Sequence, residues 1–226
     1  MLLYTDSTSI KKGFFVMRNI QLSQNQFLWL VLLIVWQTIT YMLPNKIILF
    51  EPRPVPLSAI DNMIPLSAWW IWPYISYYIF IFGAFLYVKY EKTKRILVLT
   101  YTSSALFSCF YFFIFPTTID RELYPIGEIN NLSRWALNFI RNTDTSVNCL
   151  PSMHIALSLT ASLCIASENR RQGLLAFIWF FLISYSTLAT KQHYFYDFLA
   201  GAALSLIFWL ISKKLITRYE NNFEIV

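Results

Sequence analysis

Long uncharged runs alternate with short charged or polar segments along this chain. Residues 27–43, 69–88, 96–115, 149–167, 174–190 and 198–212 contain no Asp, Glu, Lys or Arg. A helix needs roughly 17 to 25 mostly apolar residues to cross the hydrocarbon of a bilayer, and runs close to that length recur along the chain. Inside hydrocarbon every backbone N–H and C=O must find a partner within the protein, and the period-two alternation of a lipid-facing barrel strand is missing, so each run is predicted to be a helix. The expected architecture is all-α, a polytopic membrane protein built as a six-transmembrane-helix bundle. A single domain is expected over residues 1–226, with a cytoplasmic N-terminal segment 1–26, the bundle over 27–212 and a cytoplasmic tail 213–226. Residues 1–26 are polar or mixed and no small-residue cleavage site follows the first run, so that run is expected to stay in the chain. Residues 7–15 fit either a short interfacial helix, with Phe14 and Phe15 in the headgroups, or a disordered tail.

Composition sharpens this picture. Hydrophobic residues make up 57% of the 226 and charged residues 13%, with a mean hydropathy of +0.49, whereas charge takes about a quarter of an ordinary soluble domain. A soluble domain and a disordered segment are both excluded. A net charge of +6 would suggest nucleic acid in a soluble protein. Here the basic residues sit between the apolar runs, where they set orientation, and no nucleic-acid motif is present. Lys11, Lys12, Arg18, Lys89, Lys92, Lys94, Arg95, Arg170, Arg171, Lys213, Lys214 and Arg218 fall on one face, 12 of the 18 basic residues. The positive-inside rule makes that face, and both termini, cytoplasmic. Residues 44–68, 116–148 and 191–197 lie on the other face, where any outer site must be built. Three cysteines, with Cys109 and Cys164 inside apolar runs, imply no disulfide framework. Trp69, Trp70, Trp72, Tyr77 and Tyr78 are expected at headgroup level.

The chain has two histidines, and both fall at the non-cytoplasmic mouth of a run. His154 sits in Cys149-Leu-Pro-Ser-Met-His154. Pro151 suits the first turn of a helix, and Ser152 with the next amides would point free donors out of the membrane, which is a ready anion site. His154 is then within reach of a bound phosphate as an acid or base. His193 sits in Thr190-Lys-Gln-His-Tyr-Phe-Tyr-Asp197. Four residues apart, His193 and Asp197 share a helical face, so the carboxylate can hold one ring nitrogen and leave the other free to attack. An acid at the start of a span is expensive and usually functional, though Asp197 also suits the helix dipole.

Pro-Ser-Met-His followed by His-x-x-x-Asp, each opening a transmembrane helix on the same face, resembles the type 2 phosphatidic acid phosphatase (PAP2) superfamily. Its motifs are Lys-x6-Arg-Pro, Pro-Ser-Gly-His and Ser-Arg-x5-His-x3-Asp. The resemblance implies His193 as nucleophile, Asp197 as its orienting partner, His154 as proton donor to the leaving group and Ser152 as a phosphate ligand. This chain departs from the pattern in three places. Met153 replaces Gly but keeps its amide donor. Thr187 stands where the family has an arginine, and Lys191 is expected to supply that charge. The first motif has two candidates: Lys46-Ile-Ile-Leu-Phe-Glu-Pro-Arg53-Pro54 matches its letters but follows the first run, while Phe115-Pro-Thr-Thr-Ile-Asp-Arg121 follows the third run, as the family requires, and offers Arg121 as the phosphate clamp. The stretch from Lys191 to Asp197 looks closer to the branch with inositol phosphorylceramide synthases than to plain lipid phosphatases.

A phosphate ester is cleaved when a nucleophile attacks in line while positive groups hold the equatorial oxygens and an acid protonates the departing oxygen. The resemblance assigns those parts to His193, to Arg121, Lys191, Ser152 and the Met153 amide, and to His154. It implies an enzyme of the outer face of a bacterial inner membrane that acts on a lipid phosphate or pyrophosphate without metal or cofactor, by hydrolysis or by transfer to an acceptor alcohol. Protein partners are not legible. Two rivals from other classes remain, a transporter binding an anionic headgroup and a bis-histidine haem protein.

Overall fold

The computed structural model describes residues 22–223. The 7–15 segment, with Lys11, Lys12 and Arg18, lies outside the described residues. In chain order the elements are α1 (Gln26–Lys46), a two-residue strand β1 (Arg53–Pro54), α2 (Ala59–Met63), a 3-10 turn (Ala68–Trp70), α3 (Ile71–Tyr87), α4 (Glu91–Ile114), β2 (Thr117–Thr118), α5 (Leu132–Thr143), α6 (Met153–Glu168), α7 (Arg170–Ala189) and α8 (Phe195–Phe223). The fold is thus helical, apart from one pair of parallel two-residue strands in which Arg53 faces Thr117.

Among the described residues, five helical stretches are long and apolar enough to cross a membrane: Gln26–Lys46, Ala68–Tyr87, Glu91–Ile114, Arg170–Ala189 and Phe195–Asn222. The run expected over 149–167 behaves differently. Its helix, α6, has 16 residues, which at 1.5 Å per residue gives roughly 24 Å, short of the ~30 Å hydrocarbon thickness. Eleven of the sixteen are buried, because α6 packs against α3, α4, α7 and α8 and forms the central pillar of the bundle. Small residues permit that closeness. A Cβ on Gly173 would lie 2.5 Å from the Cα of Ala166, and one on Gly201 would lie 2.5 Å from the Ser152 carbonyl oxygen.

Two further boundaries differ from expectation. The last helix does not stop at residue 212 but runs to Phe223, since no Gly or Pro interrupts residues 202–223. Lys213 lays its ammonium 5.0 Å from the Trp209 ring, and Glu220 pairs with Lys92 at 2.7 Å. The segment 116–148 is not all loop: α5 is an amphipathic helix whose Ala136, Leu137 and Ile140 pack with Ile71 and Tyr74, while Trp135 and Phe139 are exposed and stacked at 5.7 Å.

The two ends of the bundle carry different chemistry. At one end Glu168 accepts the Lys89 and Tyr90 amides at 2.9 Å each, and Glu91 accepts the Leu22 amide at 2.8 Å. This end gathers the basic clusters around Lys89, Lys92 and Arg170. At the opposite end β1, β2, α2, α5 and the first turns of α6 and α8 assemble around both histidines.

Candidate active site

The site is built where the first turns of α6 and α8 meet. The Ser152 amide donates to the Asp197 carbonyl at 3.2 Å, across the gap that Gly201 leaves open. Ser152 is the N-cap of α6 and makes no side-chain capping bond. Pro151 therefore precedes the helix and does not occupy its first turn as expected. The stretch is tethered upstream: the Cys149 and Leu150 amides donate to the Thr117 hydroxyl of β2 at 3.1 and 2.9 Å. The Met153 and His154 amides, in the first turn, have no intrahelical acceptor.

His193 lies in the turn before α8, not on its face, and the spacing to Asp197 works through that turn. His193 Nδ1 is 3.3 Å from Asp197 Oδ2, and the same oxygen accepts the Tyr194 amide at 2.9 Å. Asp197 is fully buried. A buried carboxylate with two such partners fixes the Nδ1–H tautomer of His193, an assignment drawn from the hydrogen-bond pattern, and leaves Nε2 free. The His154 ring stands 5.5 Å from that of His193, edge to face. Tyr77 and Tyr74 of α3 pack on it, with ring centroids 4.3 and 4.6 Å away.

Lys191 is buried in the turn before α8. It adopts a left-handed φ of 54°, and its backbone turns so that the Gln192 and His193 amides both donate to the Thr187 carbonyl at 3.0 and 3.1 Å. Its ammonium donates to the carbonyls of Asp61 and Ile64 at 2.7 and 2.5 Å and lies 4.6 Å from the Tyr124 ring. Two of its three donors are thus spent on backbone carbonyls, which leaves at most one for a phosphate. Asp61 completes this clasp by accepting the Phe195 amide at 2.9 Å, at the start of α8.

Arg121 is at the site, but its guanidinium is mostly committed. It donates to the carbonyls of Arg141, Asp144 and Thr145 at 3.2, 2.7 and 3.0 Å and to Gln192 Oε1 at 2.6 Å. Arg141 of α5, which the motifs did not single out, reaches the carbonyls of Tyr124 and Thr190 at 2.7 and 3.1 Å. Burial, and then the charge of Arg121, push the Arg141 guanidinium down to about 10. Two neighbouring cations that strain each other's charge favour an anion beside them. Lys46 and Arg53 do not join this group. Both are exposed, and the Arg53 guanidinium lies 5.7 Å from the Phe115 ring. The two rival loops are nevertheless neighbours, since the Arg53 amide donates to the Pro116 carbonyl at 2.9 Å.

Among the described residues, ten buried side-chain N or O atoms lack a hydrogen-bond partner, and seven belong to this end of the bundle: Arg121 Nε, Arg141 Nε, Asn148 Oδ1, Ser152 Oγ, His154 Nε2, Gln192 Nε2 and Asp197 Oδ1. Buried polar groups are rarely left unpaired without a reason. Here four of them are N–H or O–H donors, the set a bound oxyanion would satisfy. No group of three or more His, Cys, Asp and Glu side chains is placed to hold a metal ion among the described residues.

A family model described as the PAP2 superfamily matches residues 60–211, about two thirds of the chain. The match opens at α2 and takes in both histidine segments, Arg121 and Asp197, while Lys46 and Arg53 fall before it. No curated protein and no solved structure matches the chain.

Replacing Lys191 by Met keeps the stem and removes the ammonium. Losing two hydrogen bonds to a charged donor should cost about 3–6 kcal/mol, seen as a lower unfolding temperature in detergent. An unchanged unfolding temperature together with weakened substrate affinity would instead make Lys191 a phosphate ligand.

Proposed function

The chain belongs to the PAP2 superfamily, and on that premise we propose that it is a membrane-embedded lipid phosphatase, cleaving a phosphate or pyrophosphate ester through a phosphohistidine on His193. The observation that carries this reading is the pairing of His193 with a fully buried Asp197 on one side and with His154 5.5 Å away on the other, amid unpaired donors. His193 Nε2 attacks the phosphorus in line, and the bond from phosphorus to the ester oxygen breaks. His154, as imidazolium, gives that oxygen its proton. Tyr74 and Tyr77 pack on its ring and hold it beside His193. His154 then takes a proton from water, the hydroxide attacks phosphorus, and the P–N bond breaks to release phosphate. Ser152 Oγ, Gln192 Nε2, the Met153 amide and the Nε atoms of Arg121 and Arg141 supply donors to the equatorial oxygens, a type of stabilisation worth about 3–4 kcal/mol per donor in other enzymes.

Transfer to an acceptor alcohol is the second reading. It is favoured by the threonine at 187, whose hydroxyl donates to the Ser184 carbonyl at 2.8 Å and so offers the phosphate nothing. It also draws on the resemblance of Lys191 to Asp197 to phosphotransferases. Both readings require the histidines. His193→Ala should abolish release of phosphate from a panel of lipid phosphates, and His154→Ala should lower it by roughly 10²–10⁴-fold. Near wild-type turnover in either variant would refute the mechanism. Phosphorylation of an added alcohol in place of phosphate release would select transfer over hydrolysis.

We also infer six crossings, α6 being the short one, in a bacterial inner membrane, with both termini cytoplasmic and the site on the outer face. The asymmetry of basic residues supports that orientation. Asn130 and Gln172 are both exposed, at opposite ends of the bundle, and the three native cysteines are buried. An impermeant thiol reagent applied to intact cells should label Asn130→Cys and spare Gln172→Cys. The reverse pattern would invert the protein.

A further inference from the structure

One carboxylate near the histidines has no part in the proposed chemistry. Asp144 lies in the loop after α5, and Tyr41 of α1 donates to its Oδ1 at 2.6 Å. A carboxylate has about four acceptor positions, so this bond leaves capacity to spare. Burial raises the Asp144 carboxyl above its usual range, against the pull of Tyr41 and Arg121, and His193 is close enough to act on it electrostatically.

Asp144 and His154 share the wall of a cavity of about 310 Å³. The cavity runs between α1, α3 and α4, with Ile81, Phe82, Ala105 and Phe112 along its walls. Its α1 side includes Ile34 and Met42, 39% and 40% exposed on the lipid-facing surface. Helix α1 packs mainly on α4 and only lightly on α3, so the α1–α3 seam is the natural way in from the bilayer. The volume is ample for an alkyl segment. The cavity is not purely hydrocarbon in character. Ser108 of α4 lines it, 1% exposed, with a hydroxyl that has no partner.

We propose that this cavity takes one alkyl chain of a lipid phosphate that also bears a hydroxyl next to its phosphate, and that Asp144, held by Tyr41, accepts that hydroxyl and selects such lipids. The proposal rests on the reading that His193 and His154 handle a lipid phosphate. A carboxylate facing an apolar cavity is costly beside bare hydrocarbon and is relieved by a donor. A neutral donor fits better than an ammonium, because Arg121 already supplies positive charge beside this carboxylate. A site built around a substrate hydroxyl rejects the analogue that lacks it, since a buried polar group is then left unpaired.

The test compares two lipids of equal chain length, a 1-alkyl-2-hydroxyglycerol 3-phosphate and its 2-deoxy analogue, on the purified full chain in detergent. Wild type should favour the hydroxyl-bearing lipid in kcat/KM by about tenfold or more. That ratio should collapse toward unity in Asp144→Ala and fall part way in Tyr41→Phe, a milder change if the first variant folds poorly. The same preference should appear as a difference in Kd for His193→Ala, which binds without turnover. Equal ratios in wild type and Tyr41→Phe, or equal Kd values for the two lipids, would overturn the proposal. So would a preference that acts only on transfer to an added alcohol, since the hydroxyl would then belong to the acceptor. Absence of turnover with the Kd preference intact would instead remove the phosphatase reading and leave the lipid selectivity standing.

Discussion

One close approach organises the outer end of this protein: the backbone of α8 passes the N-cap of α6 so tightly that only a glycine fits at position 201. That contact lets the Ser152 amide reach the Asp197 carbonyl at 3.2 Å and brings two helix N-termini to one point. The carboxylate of Asp197 then faces inward, where it grips the Tyr194 amide and the His193 ring together. A Cβ at 201 would have to displace Ser152, and the spacing of the two histidines with it. Overpacking of this kind costs typically about 1–3 kcal/mol. Here its effect would fall on the site before the rest of the fold.

The charges around the site serve mostly to shape it. Arg121, Arg141 and Lys191 donate to backbone carbonyls, fastening the loops after β2 and α5, and α2, to the turn before α8. Their positive field persists even where their hydrogen bonds are taken, so a bound anion gains from charges it touches only at an edge. The donors left over are modest ones: a serine hydroxyl, a glutamine amide, two guanidinium Nε atoms and the free amides of a helix terminus. An oxyanion spread over several oxygens suits such a set, because each donor is already held in place by packing and need not reorganise.

Much of this was legible in the sequence because the bilayer imposes a strong pattern. Uncharged runs marked the helices α1, α3, α4 and α7 closely, and two histidines at one depth marked the site. The errors share a cause, which is that linear spacing is blind to tertiary partners. Lys191 read as a free cation because its acceptors, the carbonyls of Asp61 and Ile64, lie some 130 positions away. His193 read as helical because a spacing of four looks alike whether a helix or a turn spans it. The α5 helix was missed although Leu132, Ala136, Phe139, Ile140 and Thr143 recur at helical intervals, because it was too short and too charged to register as a span. Asp144 and Arg141 carried no local signal; only folding brings them beside the histidines.

The central claim is that His193 becomes covalently phosphorylated while His154 and Asp197 serve it. Rapid quenching of the full chain during turnover of a radiolabelled lipid phosphate, followed by peptide mapping under alkaline conditions that preserve phosphohistidine, tests this most directly. The account predicts an acid-labile label confined to the peptide that contains His193 and absent from His193→Ala. Label on His154 or on a serine, or steady turnover with no labelled peptide at any quench time, would contradict it.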